Sequence, residues 1–555
     1  MSLRLTLTAL SSQYIHMPLA PFCLKKAVER AGLDVATTIC DLNINDTQEE
    51  LLRHLMEAQP DVLGVCVYIW NRECAARLIR RVKALRPEIT VIVGGPEVTF
   101  SVAETFREMP IDYLLRGAGE ESLPALLRAL MSDGDVSAVP GACYPTADGL
   151  HTAPPAPSPA PRSDLYDEAW QGTLNGRMAY VETSRGCPFQ CAFCLSGNKE
   201  APGSHAVQFM PTEEALSLLI RLGSSQAGHT TVKLIDRTFN CHKERTMALL
   251  GGLIEAKRQG RLGDVCYHLE VAADLFDDEA LALLSTAPPG LFQMEAGLQS
   301  FHAATLDACR RHTDMDKLTD RIRRLLAPGN IHLHIDLIAG LPEEDFSTFG
   351  QSFDRAFALM PHQLQLGFLK FIHGSELRAE SWGARFAPDP PYEVLSTPWI
   401  TYAELCRLHA AAEAVERIHN SGRFLLAERL ALASGIRPFD LYLRLGERMT
   451  TRPGRWSLDQ LTRLVYDAFL DLGVEERALR DAMLIDRLAT DNTGYLPPFL
   501  QGDMTALKAA ARAYRERHPE VRHPRVTLLS DGSAAVAVWM QKHPVTQRGV
   551  VEIVR

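Results

Sequence analysis

Cys187, Cys191 and Cys194 stand at Cys-x3-Cys-x2-Cys spacing inside Thr183-Ser184-Arg185-Gly186-Cys187-Pro188-Phe189-Gln190-Cys191-Ala192-Phe193-Cys194. Three thiolates so close together can hold three irons of a four-iron cluster and leave the fourth iron open to chemistry. A structural zinc needs four ligands, and the sequence offers no further Cys or His nearby, so that alternative has to borrow Cys241, Cys266 or a distant His. Twelve cysteines in 555 residues are too dilute for a secreted disulfide scaffold. Those outside the triad sit singly among apolar or amphipathic neighbours, where a thiol acts as a small hydrophobe.

A second group of unusual residues follows short β-like runs: Ser11-Ser12-Gln13-Tyr14-Ile15-His16, Tyr68-Ile69-Trp70-Asn71, Gly94-Gly95-Pro96-Glu97 and Gly117-Ala118-Gly119-Glu120-Glu121. The runs themselves, Leu3 to Leu10, Asp34 to Leu42, Asp61 to Tyr68, Thr90 to Gly94 and Ile111 to Leu115, alternate with amphipathic stretches at Pro21 to Arg30, Thr47 to Ala58 and Arg72 to Leu85. That rhythm predicts a parallel, doubly wound, flavodoxin-like sheet of five strands over residues 1–150, with the four loops at the carboxyl ends where such sheets bind ligands. Two glycine-rich loops on one edge leave room for something large and flat. Tight turns and helix caps account for any one loop taken alone.

Residues 151–170 open with five prolines among fourteen residues, His151 to Asp164, and read as an extended, semi-rigid linker. Over 171–380 the βα rhythm returns, with strands expected at Met178 to Thr183, Thr231 to Asp236, Cys266 to Ala272, Leu291 to Leu298, Ile331 to Ile338 and Leu364 to Phe371; a parallel α/β barrel or partial barrel fits. The cysteine loop directly follows the first of these strands. Over 381–555 the pattern turns helical, as in Tyr402 to His419 with its apolar face, before a terminal β-hairpin turning at Asp531-Gly532 into Ala534 to Met540, with a further strand read at Gly549 to Val554.

The chain divides by length into three or four folding units. Its 58 Lys and Arg against 68 Asp and Glu leave a net charge of −10, without the basic footprint of a nucleic-acid binder. No run approaches the roughly 18 apolar residues of a membrane span, and no secretory signal is visible at Met1-Ser2-Leu3-Arg4-Leu5-Thr6-Leu7. The expectation is a soluble cytoplasmic protein with neither nucleic acid nor membrane as partner.

With these residues in view, the chain resembles the radical S-adenosylmethionine (SAM) superfamily, whose signature is this cysteine spacing with an aromatic, here Phe193, before the last cysteine. Asp236-Arg237-Thr238-Phe239-Asn240 and Gly297-Leu298-Gln299-Ser300 resemble stretches of its barrel, and the four N-terminal loops resemble those of the cobalamin-binding domain many members carry. Tyr392-Glu393-Val394-Leu395-Ser396 and His419-Asn420-Ser421-Gly422-Arg423-Phe424 resemble a C-terminal extension of one poorly characterised subgroup. The resemblance implies an α/β fold: a flavodoxin-like (Rossmann-type) cobalamin domain, a radical SAM partial (β/α)6 barrel and a mostly helical C-terminal domain that closes the substrate cavity.

It also implies cofactors: a 4Fe-4S cluster on Cys187, Cys191 and Cys194, S-adenosylmethionine, and cobalamin carried as methylcobalamin. The expected S-adenosylmethionine contacts are Phe193, Asp236, Glu270, Glu295, Gln299, Ser300, Asp336 and Gly340, the last within Gly340-Leu341-Pro342; a buried ion pair or a solvated face explains any one acid as well. Those of cobalamin are Ser11, Tyr14, His16, Tyr68, Trp70, Asn71, Gly94, Gly95, Pro96, Glu97, Gly117, Gly119 and Glu120. One departure stands out. The Asp-x-His-x-x-Gly that supplies a lower cobalt ligand in methionine-synthase-type domains is absent, and His16 lacks its context. Trp70 is either the group beneath the corrin or an ordinary core aromatic.

The implied reaction is methyl transfer from methylcobalamin to a substrate carbon activated by a 5′-deoxyadenosyl radical, fed by an external flavodoxin- or ferredoxin-type electron donor. Ring contraction or cyclisation without methylation, methylthiolation of tRNA, and a cobalamin-binding sensor with a vestigial barrel are the alternatives. The acidic balance and scattered cysteines speak against tRNA, and the intact triad against the sensor. Small natural-product intermediates and peptide side chains both fit as substrates.

Overall fold

The computed structural model describes residues 2–198, 206–224, 230–380, 382–452, 454, 456–491, 495–521 and 524–554, with backbone only at 538–541. It divides into two compact units: Met1–Leu291, Leu306–Asp314 and Phe368–Pro398 form the first, and Phe292–Thr305, Met315–Gly367 and Trp399–Arg555 the second.

The first unit begins with the strands β1 (Leu3–Ser11), β2 (Val35–Asn43), β3 (Val62–Cys66), β4 (Thr90–Gly94), β5 (Tyr113–Leu115), β6 (Ala142–Thr146) and β7 (Gly149–Thr152), in the spatial order β2-β1-β3-β4-β5-β6-β7. The order of the first five is flavodoxin-like. All five residues of β3 are buried, because helices cover both faces of a doubly wound sheet. On one face Leu51, Leu55, Leu78 and Val82 pack with Leu63, Val65 and Val91; on the other Val28, Leu123 and Leu127 pack with Leu5, Leu7 and Ile92. Strand β2, at the edge, alternates half-buried with exposed residues instead.

Two strands carry no clear signal in the sequence. β6 pairs antiparallel with β5, and β7 antiparallel with β6, extending the sheet past its parallel part. The proline-rich stretch starts inside this sheet: His151 and Thr152 belong to β7, and Ala156 forms a parallel bridge with Gly117. Proline lacks an N–H and tolerates only an edge. Ala156, between Pro155 and Pro157, supplies the N–H that reaches the Arg116 carbonyl at 2.9 Å. The segment expected as a linker is therefore strapped to the sheet over its first residues.

The same unit continues with β8 (Ala179–Val181), β9 (Ser184–Arg185), β10 (Gln208–Phe209), β11 (Thr231–Leu234) and β12 (Cys266–Val271). β11 lies between β8 and β12, parallel to both, while β9 and β10 form a short antiparallel ladder. The second unit holds β13 (Phe292–Gln299), β14 (His332–Ala339) and β15 (Gln363–Phe368) in the order β15-β14-β13. β13 buries Met294, Ala296 and Leu298 on one side, which leaves Glu295, Gly297 and Gln299 on the other, as strand alternation requires.

The rest of the second unit is helical, ending in a three-stranded antiparallel sheet of Arg525–Leu528, Ala534–Lys542 and Gly549–Val554. The expected hairpin at Asp531-Gly532 forms, and the strand read at Gly549 to Val554 pairs antiparallel beside it. Helix Tyr402–Ala414 continues as a π-helical turn over Val415–Asn420 and crosses helix Pro438–Thr450 closely. A Cβ added to Gly446 would lie 2.4 Å from the Ala410 backbone. No described helix is long and apolar enough to cross a membrane.

Gly446→Ala should therefore force these helices apart and destabilise the second unit by about 1–3 kcal/mol, read as a lower urea midpoint followed by circular dichroism. An unchanged midpoint would mean that the crossing is looser than described.

Candidate functional site

The cysteine loop is built on a buried carboxylate. Asp236, following β11 and 1% exposed, accepts hydrogen bonds from the Thr183 backbone N (2.7 Å), the Thr183 hydroxyl (2.5 Å) and the Ser184 backbone N (3.0 Å). Burial raises its pKa, and these donors oppose the rise by favouring the anion. Arg245 also holds the strand end, donating to the Thr183 carbonyl at 3.1 Å and the Met210 carbonyl at 2.8 Å.

From this base the chain turns at Gly186, whose φ of +97° suits glycine, into Cys187. Cys191 is buried, and Cys187 and Cys194 are half-buried. Cys194 N donates to Cys191 O, while Ala192 N reaches Cys309 O at 2.9 Å. A Cβ on Gly197 would lie 2.4 Å from Cys191 O, so the return of the loop also requires glycine. The Cys191 thiol is pushed up by burial, and Arg311, whose Nη1 donates to its sulfur at 3.7 Å, opposes that. Cys187 Sγ lies 3.6 Å from Thr238 Oγ1.

The donor set distinguishes the metals. Tetrahedral zinc with bonds of about 2.3 Å brings its sulfurs to within about 3.8 Å of one another. Among the described residues the only three potential ligand atoms all within 4.8 Å of each other belong to Glu295, His334 and Asp336, so neither the three thiols nor any set with Cys241 or Cys266 is drawn together for zinc. Three soft thiols on one loop, spaced more widely than zinc requires, fit a larger iron–sulfur body.

At the carboxyl edge of the first sheet the structure separates residues that face outward from residues consumed internally. Trp70 is 48% exposed, stacked on Tyr68 with ring centres 4.5 Å apart, and anchored by its Nε1 to the Leu10 carbonyl at 3.1 Å. It is not a core aromatic. Tyr14 is 64% exposed, with the Arg177 guanidinium 4.2 Å from its ring centre. His16 Nδ1 meets the Tyr180 hydroxyl at 2.5 Å, and burial lowers its pKa. Gly95, at φ +117°, passes so close to Val67 that a Cβ would lie 2.4 Å from its carbonyl oxygen, and Pro96 opens the short helix Pro96–Thr99. A Cβ on Gly94 would lie 3.3 Å from Leu115 O. Gly117 has φ +83°, and a Cβ on Gly119 would collide with Leu24. Ser11 is buried at the end of β1.

Five residues expected to contact ligands have partners within the chain. Asn71 is fully buried, accepting from Tyr68 N at 2.8 Å and donating to the Leu10 and Cys66 carbonyls at 3.2 Å. Glu97, 4% exposed, accepts from the Tyr392 hydroxyl at 2.5 Å and pairs with Arg72 at 3.3 Å. Glu120 pairs with Arg185 at 2.6 Å. Asp236 braces the strand end, as described above. In the second unit Ser300, with no exposed surface, donates to Glu344 at 2.6 Å; Glu344, also bonded to Ser352, is driven up to about 7 by its burial. Asn71, Glu97, Asp236, Ser300 and Glu344 are buried and Glu120 is half-buried, and burial of a polar side chain is tolerated only with a partner.

The remaining expectations retain half-exposed side chains. Phe193 lies in the cysteine loop and Glu270 on β12, both half-buried. In the second unit Glu295 of β13 stands opposite His334 of β14, and Asp336 follows on the same face with its carboxylate 2.9 Å from His334 Nε2. Gln299 ends β13 at φ +70°, and Gly340 follows β14 at φ +85°. Arg185, Glu182, Arg72, Tyr392 and Glu344 received no role from the sequence. Only Glu182 and Arg185 carried a local signal, opposite charges three residues apart.

Three sequence families match the chain: "B12 binding domain" over residues 5–127, "Radical SAM superfamily" over 181–356 and "Protein of unknown function (DUF4080)" over 380–531. The cobalamin-dependent radical SAM methyltransferase TokK of Streptomyces tokunonensis is 25% identical over 357 residues, which are 60% of this chain and 51% of that protein. An anaerobic magnesium-protoporphyrin IX monomethyl ester cyclase of Rubrivivax gelatinosus is 25% identical over 342 residues, 59% of this chain and 60% of that one. The chain thus spans between half and two thirds of the length of these relatives. The solved structure of the cobalamin-dependent S-adenosylmethionine radical enzyme OxsB, with aqua-cobalamin and S-adenosylmethionine bound, superposes with a TM-score of 0.59 at 13% identity, covering 88% of this chain and 84% of that one, and shares the fold. The chain carries a B12-binding domain followed by a radical SAM domain and is homologous to cobalamin-dependent radical SAM methyltransferases.

Proposed function

We propose that this protein methylates a carbon of a small molecule or peptide, using a 4Fe-4S cluster, S-adenosylmethionine and cobalamin. The observation behind the reading is the presence, in one compact unit, of a wide three-thiol loop and a flavodoxin-like sheet with an exposed aromatic pair at its carboxyl edge. When bound, the cofactors supply hydrogen abstraction from carbon and the methyl group.

The chain's own part is to hold and to shield. Cys187, Cys191 and Cys194 are the proposed cluster ligands, with Arg311 offsetting their negative charge near Cys191. Trp70, backed by Tyr68, presents an exposed apolar ring that would pack against a bound corrin and exclude water there. Ser11, Tyr14, His16 and the backbone of Gly94, Gly95, Pro96, Gly117 and Gly119 are the other proposed corrin contacts. For S-adenosylmethionine we propose Phe193 and Glu270, both half-buried in the first unit.

In this reading residues 1–150 are the cobalamin domain, 151–170 the connection, 171–380 the radical SAM domain and 381–555 a substrate-selecting region. Thiolate ligands and a low-potential electron donor suit a reducing cytoplasm. A second reading, radical cyclisation or rearrangement, has the cyclase relative behind it.

Two experiments test the proposal. With S-adenosylmethionine labelled in its methyl group, label should enter the product; product without label would favour cyclisation or rearrangement. Cys191→Ala should abolish the cluster absorption of anaerobically reconstituted protein while cobalamin still binds, and undiminished iron uptake by the variant would remove Cys191 from the ligand set.

A further inference from the structure

Resting on the cofactor assignment above, we propose that Arg185 is a positioning residue that couples the corrin-side loop to the cysteine loop, so that cobalamin binding and cluster assembly favour one another. Arg185 Nη1 meets Glu120 Oε1 at 2.6 Å, and its Nε and Nη2 meet Glu182 Oε2 at 2.9 and 2.7 Å. All three side chains are only 15–16% exposed, so salt screens the pairs little.

The three partners belong to separate functional segments. Glu120 lies in the first turn of helix Gly119–Met131, directly after the Gly117-Ala118-Gly119 turn. Glu182 follows β8. Arg185 is two residues from Cys187, its backbone fixed by the β9–β10 ladder and by Asp236 acting on the preceding residue. The proline-rich segment runs alongside: Ala156 is bonded to the Arg116 carbonyl, and the Pro159 carbonyl lies 3.5 Å from Arg185 Nη1. A displacement of the 117–120 turn therefore pulls on the residue that leads into the first cysteine.

The chemistry requires arginine. One planar guanidinium serves two carboxylates in different directions, which the point charge of a lysine ammonium does not reproduce. Replacing Glu120 leaves Arg185 paired with Glu182, so the substitution cuts the link without stranding a buried cation. Coupling between two binding events is reciprocal, which makes it measurable from the cobalamin side.

The test titrates hydroxocobalamin by absorbance into the full-length protein, before and after anaerobic cluster reconstitution, and takes the ratio of the two Kd values. Wild type should bind the corrin more tightly with the cluster present, by a factor on the order of 5 to 10. In Glu120→Gln, and in Arg185→Lys, the ratio should fall below half the wild-type value whatever the absolute affinities; if Glu120→Gln takes up no corrin, Arg185→Lys decides. A wild-type ratio of one, or a variant ratio of half the wild-type value or more, overturns the coupling. Failure of the wild type to take up iron or corrin overturns the cofactor reading itself, and the coupling with it.

Discussion

The cluster loop depends on Asp236. This carboxylate is almost wholly excluded from water and satisfied by three donors, all on Thr183 and Ser184. A buried charge with such partners is stable only in one arrangement, because moving either donor residue leaves an unsatisfied group in a low-dielectric interior. The strand end thereby becomes a rigid base, and the turn at Gly186 starts the three-cysteine loop from a fixed point. Arg245 reinforces it through the Thr183 and Met210 carbonyls.

The same principle sorts the polar residues at the carboxyl edge of the first sheet. Asn71, Glu97 and Glu120 sit in loops that read as ligand-binding, yet each of them braces the fold. Asn71 ties the end of β3 to β1, Glu97 joins Arg72 to Tyr392, and Glu120 meets Arg185. What they leave facing outward is an aromatic, weakly polar surface made by Trp70, Tyr68 and Tyr14 together with glycine backbone.

The proline-rich stretch shows how a composition signal can be right about conformation and incomplete about role. Five prolines do exclude helix and central strand, and the chain there is extended. Extended chain beside a sheet edge can still pair through its non-proline residues, as His151, Thr152 and Ala156 do. The antiparallel β6–β7 pair is hard to see in the sequence for a related reason: Ala142–Thr146 ends in Pro-Thr and Gly149–Thr152 is almost entirely exposed, so neither carries an apolar alternation.

The sequence by itself determined the parallel sheets, the position of nearly every strand in them and the cysteine triad, because these rest on local properties: apolar runs, helix starts and stops, and ligand spacing along a continuous loop. Tertiary structure alone decided which polar side chains are spent. Asp236, Ser300, Glu97 and Asn71 look identical in sequence to exposed loop residues, and only the arrival of Thr183, Glu344, Tyr392 and the Leu10 carbonyl from distant positions gives them partners within the chain. The fate of Trp70 was decided in the same way, by whether packing covered its ring or left it exposed at the sheet edge. Hydrogen-bond satisfaction is a property of three-dimensional neighbours, which the local pattern of a chain does not encode.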